Sequence, residues 1–395
     1  MHKRMTRILS AISLLVVIPT VAFASASRVA GLNVPGDYIK DYTGMFTYVS
    51  GVNTVGNLVY TEPNNGNEAL GTVLGNLFEG RMGTWALHLR HFSPALGQSV
   101  FGDPITTTGL LGAGDPNRNG EALDLMWGHK MGSGNLGLRY NRSFISNDSS
   151  GTTEGNGTFG RNNWGLGVGY GFAMNPNTDV EVAGNFQNRS FKGTNFLTPS
   201  PAADDGGSTY LVAARAFIKG GANVMWVPVG RIYSFDLSSV DAASVKTDAK
   251  ESGWEVGGAG NWSIGSDDLF VLGLNIVGNH AETTVGTGPK NELNETFYPN
   301  AFAGLETHVN NWLTLRFGAQ NAVLYSVKHD SGTPTVTTTV KTHVFTYNMG
   351  AGVKLASLML DATLAPGFWN NPVSGVWNNG LGTAPFPRVS ATYSF

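Results

Sequence analysis

The chain has 395 residues, of which 53 are glycine, 13% are charged and none is cysteine. Soluble globular domains carry roughly 25% charged residues and about 7% glycine, so this composition is unusual for a soluble enzyme. Twenty-five basic and 28 acidic side chains give a formal net charge of −3, which offers nucleic acid no strongly basic surface. A mean hydropathy of −0.07 is too polar for a bundle of membrane-spanning helices.

The first 24 residues have the pattern of a secretory signal peptide. A short basic start precedes an apolar stretch over residues 8–21, and Ala22-Phe23-Ala24 follows it. A basic start, an apolar middle of about 7–15 residues and small residues before the cleavage point define such signals. We therefore expect residues 1–24 to direct export, with cleavage after Ala24 or, alternatively, after Ala26.

The rest of the chain alternates between apolar and polar residues with a period of two, as strands with two different faces do. Fourteen such segments can be counted from residue 84 onward, and short connections alternate with long ones. The long connections are predicted over residues 93–120, 146–160, 189–207, 237–251, 280–297, 329–342 and 366–385. Tight turns on one side and long loops on the other are typical of outer-membrane barrels. The sequence therefore predicts an all-β antiparallel transmembrane β-barrel of 14 strands over residues 84–395.

The C-terminal residues Ala391-Thr392-Tyr393-Ser394-Phe395 resemble the assembly signal of Gram-negative outer-membrane β-barrels. The resemblance implies that Tyr393 and Phe395 are recognised by the barrel-assembly machinery. It also implies that the exported protein resides in the bacterial outer membrane, in contact with its lipids.

Residues 25–83 precede the first clear strand and are rich in glycine and asparagine. In layout, the segment Asp37-Tyr38-Ile39-Lys40-Asp41 followed by Tyr48-Val49-Ser50-Gly51 resembles the N-terminal hatch of the long-chain fatty-acid transporter family, whose barrels have fourteen strands. The Asn-Pro-Ala turn that is usual in that family is absent. The resemblance implies an N-terminal plug in the lumen and hydrophobic solutes that leave through a lateral opening. The alternative is a further strand pair, including residues 57–61, which would make a sixteen-stranded barrel.

Charged residues recur on the less apolar faces of the predicted strands. An Arg or Lys side chain that faces lipid in the middle of the membrane costs about 2–4 kcal/mol. We therefore expect the charged faces of the strands to point into the lumen. The predicted lumen-lining residues are Arg90, Arg139, Arg215, Arg316, Lys354, Arg388, Asp124, Glu181, Glu255, Glu306 and Asp361. Because both signs occur, we expect these residues to pair with one another and with the plug.

The last long connection is unusually aromatic. Its rings belong to Phe368, Trp369, Trp377 and Phe386. Together they could capture an apolar solute at the mouth of the barrel, since binding pockets are mostly apolar. They could equally belong to the aromatic girdle at the membrane surface, and the sequence leaves both interpretations open.

These patterns predict an outer-membrane channel for the passive passage of small hydrophobic solutes. No phosphate-binding loop, dinucleotide fingerprint or His-Glu-x-x-His motif is present in the sequence, so we expect no enzymatic activity, cofactor or metal. The expected partners are lipids, the assembly machinery and a small-molecule solute, but not nucleic acid. Two alternative functions remain: a general diffusion porin for polar solutes, and a structural barrel that partners a secretion or electron-transfer complex.

Overall fold

The computed structural model describes residues 26–62, 69–75, 81–90, 122–149, 157–193, 203–236, 239–240, 245–265, 267–332, 334–364, 386 and 388–395. The predicted signal peptide and three residues of the aromatic connection, Phe368, Trp369 and Trp377, lie outside these residues. Within them, antiparallel strands dominate, and none of the helices is long and apolar enough to cross a bilayer.

Sixteen strands form a closed wall in the described part of the chain. They are β1 Leu58–Glu62, β2 Ala69–Leu74, β3 Thr84–Arg90, β4 Ala122–Met131, β5 Gly134–Ser149, β6 Gly157–Asn175, β7 Thr178–Gly193, β8 Ala203–Lys219, β9 Val224–Asp236, β10 Lys246–Ile264, β11 Asp268–Val285, β12 Lys290–His308, β13 Leu313–Asp330, β14 Val336–Leu355, β15 Leu358–Leu364 and β16 Arg388–Ser394. Each strand pairs with its neighbour in chain order, and β16 pairs with β1. The two-residue strand Ser239–Val240 only extends the edge of β10. The predicted all-β antiparallel barrel is confirmed.

The fourteen strands predicted from residue 84 onward are present as β3–β16, but two further strands precede them, so the sixteen-strand alternative is confirmed for the complete wall. Leu58 of β1 pairs with Ser394 on one side and with Val73 of β2 on the other, so the wall begins at residue 58. Residues 25–83 are therefore not one unit, because their second half supplies two wall strands. These strands are only 5 and 6 residues long, so their alternation is too brief to stand out beside Gly- and Asn-rich sequence.

Several segments predicted as long connections are strand. Residues 246–251 belong to β10, β11 and β12 meet across residues 286–289, and β13 ends at Asp330 shortly before β14 begins at Val336. A membrane crossing needs about 9–11 strand residues. Strands of 18 to 20 residues, as in β11–β14, therefore project beyond the bilayer on the side of the long connections.

The outward face of β11 locates the edge of the membrane. Its outward positions are apolar from Phe270 to Ile276 and polar from His280 to Thr284. The sequence predicts a loop from residue 280 because the outward positions are no longer apolar there, so the strand pattern disappears. Residues from His280 onward thus lie outside the membrane-spanning part of the strand.

The exterior of the described strands carries an apolar band all around the barrel. Exposed members of the band include Leu125, Leu166, Val212, Ile232, Val256, Leu274 and Phe317. Soluble monomers rarely expose contiguous apolar patches larger than a few hundred Å². This surface is therefore suited to contact with lipid.

Residues 26–56, which we call the plug, form short helical segments inside the barrel. They are α1 Ala26–Leu32, the 3-10 turns Gly36–Tyr38, Tyr42–Phe46 and Val49–Gly51, and α2 Val52–Val55. Helix α1 packs against β12–β16, whereas the turn Val49–Gly51 packs against β4–β6 on the opposite wall. Only a segment within the lumen can contact both walls.

Candidate functional site

Glycines on the inner face of the wall make room for the backbone of the plug. A Cβ atom on Gly318 would stand 1.7 Å from the carbonyl oxygen of Leu32, and one on Gly137 would stand 2.3 Å from the backbone of Val49. On β6, Gly165, Gly167, Gly169 and Gly171 all face inward. The glycine-rich faces that the sequence displays are thus contact surfaces for the plug.

Helix α1 is bound to the wall by a chain of four buried charges. The guanidinium of Arg28 donates to both carboxylate oxygens of Glu306, with N···O distances of 2.6 and 2.7 Å. Glu306 also accepts from Arg316 at 2.6 Å, and Arg316 donates to Asp361 at 2.7 Å. Because each buried charge has an opposite charge beside it, the desolvation cost of burying them is offset.

The middle of the plug is bound by two arginines of the adjacent strands β8 and β9. Arg215 pairs with Glu181 at 2.6 Å, donates to the carbonyl oxygen of Asp37 at 3.2 Å and lies 4.1 Å from the ring centre of Tyr48. Arg231 contacts the carboxylate of Asp37 at 3.4 Å and that of Glu255 at 2.6 Å. The plug therefore contributes three groups to one continuous network: the backbone carbonyl and the carboxylate of Asp37, and the ring of Tyr48.

The opposite wall binds the plug through β4 and β5. Arg139, which is fully buried, pairs with Asp124 at 2.7 Å and donates to the carbonyl oxygen of Phe46 at 2.6 Å. Nearby, the hydroxyl of Tyr60 lies 2.5 Å from Nδ1 of His88, which packs edge-on against Phe46. Wall and plug thus share polar groups on both sides of the lumen.

Eight of the predicted lumen-lining residues are buried on the inner face and form ion pairs within the described residues. These are Arg139, Arg215, Arg316, Asp124, Glu181, Glu255, Glu306 and Asp361. Lys354 and Arg388 lie on inward-facing positions of their strands but are exposed, and the side chain of Arg90 lies outside the described structure. Phe386, Tyr393 and Phe395 are exposed.

Sequence reasoning missed both partners of one ion pair between wall and plug, Arg231 and Asp37. Arg231 shares its face with Val227, Val229 and Tyr233, so the face reads as apolar despite the charge. The strict alternation along β9 was the sequence signal that could have placed Arg231 on the lumen side of the wall. No comparable signal exists for Asp37, because the plug has no regular period.

Towards the long-connection end, the inner face carries both polar and apolar groups. Tyr233, Gly253, Asn279 and Glu295 form one row across β9–β12. The hydroxyl of Tyr233 and the side-chain oxygens of Asn163 and Thr283 are buried and have no hydrogen-bond partner among the described residues. Leu211, Phe235 and Leu293 are buried on the same face. Within the described chain, no group of three or more His, Cys, Asp or Glu side chains is arranged to hold a metal ion.

The closed wall, the apolar exterior and the charged, plugged interior define the class of the protein: it is an outer-membrane β-barrel. The sequence matches no protein-family model and no curated protein.

Solved structures with a similar fold are barrels of the same class. The chain is 14% identical to the copper transporter OprC over 78% of this chain and 61% of that chain, with a TM-score of 0.39. It is 7% identical to the Pseudomonas putida toluene transporter TodX over 94% of this chain and 96% of that chain, with a TM-score of 0.38. It is 11% identical to a Pseudomonas aeruginosa FadL homologue over 93% and 98%, respectively, with a TM-score of 0.40. The chain thus spans about three fifths of OprC, and likewise 62% of CdiB from Escherichia coli. Similarity at this level concerns the fold alone.

Proposed function

We propose that this barrel is an outer-membrane transporter in which the plug gates the passage of small solutes. The observation that supports it best is the attachment of residues 26–56 to both walls of the lumen by buried ion pairs and backbone contacts. A lumen occupied by its own N-terminal segment favours a gated route over a wide, permanently open pore. Export through residues 1–24 and recognition of Tyr393 and Phe395 during assembly are part of the proposal.

The solute class follows from the lining towards the long-connection end. Buried amide and hydroxyl groups without partners in the described structure, such as Asn163, Tyr233 and Thr283, share the inner face with apolar side chains such as Leu211 and Leu293. Unpartnered buried polar groups cost free energy, which a hydrogen-bonding ligand or water recovers. This lining supports small solutes with an apolar skeleton and at least one polar group, rather than purely hydrophobic or fully polar ones.

A reversible tether between plug and wall tests the proposal. Gly31 of α1 and Gly350 of β14 face each other, since a Cβ on Gly31 would stand 3.2 Å from the Cα of Gly350. The two backbones must move apart slightly to accept both Cβ atoms in disulfide geometry. The chain has no cysteine of its own, so an intramolecular disulfide in the double variant Gly31→Cys/Gly350→Cys can join only these two residues. We expect the oxidised barrel in liposomes to take up small amphipathic solutes, such as phenol or benzoate, at least about 10-fold more slowly than the reduced barrel.

The single variants Gly31→Cys and Gly350→Cys are the controls, because each carries one of the two substitutions and cannot form the tether. Solute uptake by either single variant should not change on oxidation. Equal uptake by the oxidised and reduced double variants would show that passage does not require the plug to move. Rapid passage of sugars through the oxidised form would support the porin alternative.

A further inference from the structure

The exterior of strands β3–β8 contains an apolar groove with a cavity volume of about 770 Å³. One row of outward side chains forms its floor, with each residue directly opposite the next: Trp85, Trp127, Leu138, Val168, Gly184 and Val212. Five spacings of about 4.8 Å between neighbouring strands make this row roughly 24 Å long. The groove is therefore long and narrow, as the binding of an extended hydrocarbon chain requires.

The inner face of the same strands contacts the plug. Four successive inward positions of β6 and Gly137 of β5 are glycine, and the backbone of Val49 and Ser50 packs directly on Gly137 and Gly169. At these glycines the wall has no inner side chain and lies directly against the plug. The groove therefore lies on the outer face of a part of the wall that the plug supports from inside.

The groove lies on a closed wall and is not an opening through it. Pairing between β4 and β5, and between β5 and β6, continues without a register shift past Leu138 and Val168. The only irregularity between β6 and β7 lies at Ala173 and Asn175, beyond the groove. A solute could not pass from the lumen through this surface without breaking several backbone hydrogen bonds.

Position and chemistry decide what fills the groove. Trp127 and Leu138 lie about five residues from the turn at Gly132–Ser133, or ~13 Å along the membrane normal at a tilt of about 40°. The apolar band of such barrels is about 25 Å tall, so the groove lies within the hydrocarbon. Its side chains offer water almost no hydrogen-bonding partners, and buried water needs two to four of them.

Two tryptophans hold one end of the groove in a fixed shape. The indole nitrogens of Trp85 and Trp127 both donate to the carbonyl oxygen of Met82, at 3.1 and 2.8 Å. His129, which is exposed on the same outer face, stacks on the ring of Trp127 on the side of the short turn. Its ring N–H offers a hydrogen-bond donor to a phosphate group at that edge of the membrane.

We propose that the groove binds one acyl chain of a phospholipid whose phosphate lies beside His129. The bound chain lies along the outward row of side chains from Trp85 to Val212 and covers the apolar floor of the groove. The proposal depends on the barrel spanning a membrane and is independent of which solute the lumen carries.

Gly184 allows a test with a matched control. It lies in the floor of the groove, and the nearest atom to an added Cβ is Cγ1 of Val168 at 4.0 Å. Gly258 on β10 also faces outward and has nothing within 4 Å, but it lies on another part of the wall. Gly184→Phe fills the groove, whereas Gly258→Phe adds the same ring elsewhere.

The experiment is native mass spectrometry of the full chain in detergent, with palmitoyl-oleoyl-phosphatidylglycerol added stepwise. We expect the wild type and Gly258→Phe to retain one tightly bound lipid, and Gly184→Phe to lose at least about five-sixths of that occupancy. Val212→Trp, which fills the groove from β8, should behave like Gly184→Phe and replaces it if that variant fails to fold.

Equal lipid occupancy in all four proteins would overturn the proposal, as would a wild type that retains no lipid. A wild-type dimer that Gly184→Phe dissociates would assign the groove to a second copy of the chain instead.

Discussion

Arg28 and Glu306, which are 278 residues apart in the chain, form a two-pronged ion pair between the plug and β12. Both side chains are buried, and Glu306 is shared with Arg316 of β13. The pair therefore connects the N-terminal helix of the plug to a network that belongs to the wall.

Replacing Arg28 with Met should loosen helix α1 from the wall. Hydrogen bonds to charged groups contribute about 1.5–3 kcal/mol each, and Glu306 keeps Arg316 as a partner after the change. We therefore expect the backbone amides of residues 26–32 to exchange with deuterium about 10-fold faster or more, measured by mass spectrometry in detergent. Lys246→Met, which breaks an exposed ion pair with Asp248, is the control and should leave this exchange unchanged. Unaltered exchange in Arg28→Met would show that the pair does not hold the plug.

The contact between Gly318 and Leu32 predicts a strong effect from a single methyl group. Gly318→Ala forces the plug backbone and β13 apart, because the added Cβ would overlap the carbonyl oxygen of Leu32. Overpacking of this kind typically costs about 1–3 kcal/mol. A lower midpoint of thermal unfolding, followed by the heat-dependent shift in gel mobility, is expected. Gly258→Ala, with open space around its Cβ, should unfold at the wild-type temperature; a similar loss in both variants would contradict the close contact.

The hairpin of β11 and β12 beyond the membrane should be sensitive to pH through His280. A hydrogen bond to Glu282 and another to Asn294 raise the pKa of His280 above its ordinary value of 6.5. Because the folded-state pKa is raised, the protonated ring stabilises the hairpin fully below pH 6.5, and this contribution is lost as the pH rises through the folded-state pKa.

Titration of the His280 ring protons by NMR measures this effect directly. Glu282→Gln should lower the pKa of His280 towards 6.5, since it removes the hydrogen-bonded carboxylate. Glu292→Gln should lower it less, because Glu292 acts on His280 through charge alone. The interpretation fails if both variants titrate at the wild-type midpoint.

Phe395 should matter for assembly and not for the finished barrel. Its ring is 60% exposed and stacks on Tyr393 within the described structure, whereas its backbone N–H donates to the carbonyl oxygen of Asn57. Phe395→Ala keeps that backbone bond, so the refolded variant should unfold at the wild-type temperature.

In cells, by contrast, we expect Phe395→Ala to lower the amount of folded barrel in the outer membrane several-fold, measured by heat-modifiability of membrane fractions. Phe345→Ala removes an aromatic ring of equal exposure from β14 and should leave the yield unchanged. Equal yields in both variants would remove Phe395 from the assembly signal.

Much of the wall was predictable because alternation is a local property. The positions of Asp124, Arg139 and Glu306 on inward faces follow from their neighbours two residues away, and the structure places all three inside. The exceptions were local as well. Strands β1 and β2 are too short to reveal a period, and the outward positions of β11 are polar from His280 to Thr284.

The sequence by itself determined that the chain builds an antiparallel barrel with one face towards lipid, since the period of two and the placement of charge are written in adjacent residues. Only the tertiary structure decided which residues meet across the lumen. Arg28 finds Glu306, and Arg231 finds Asp37, because the plug has a particular path between walls that glycines leave bare. That path depends on contacts hundreds of residues apart, and no local pattern specifies it.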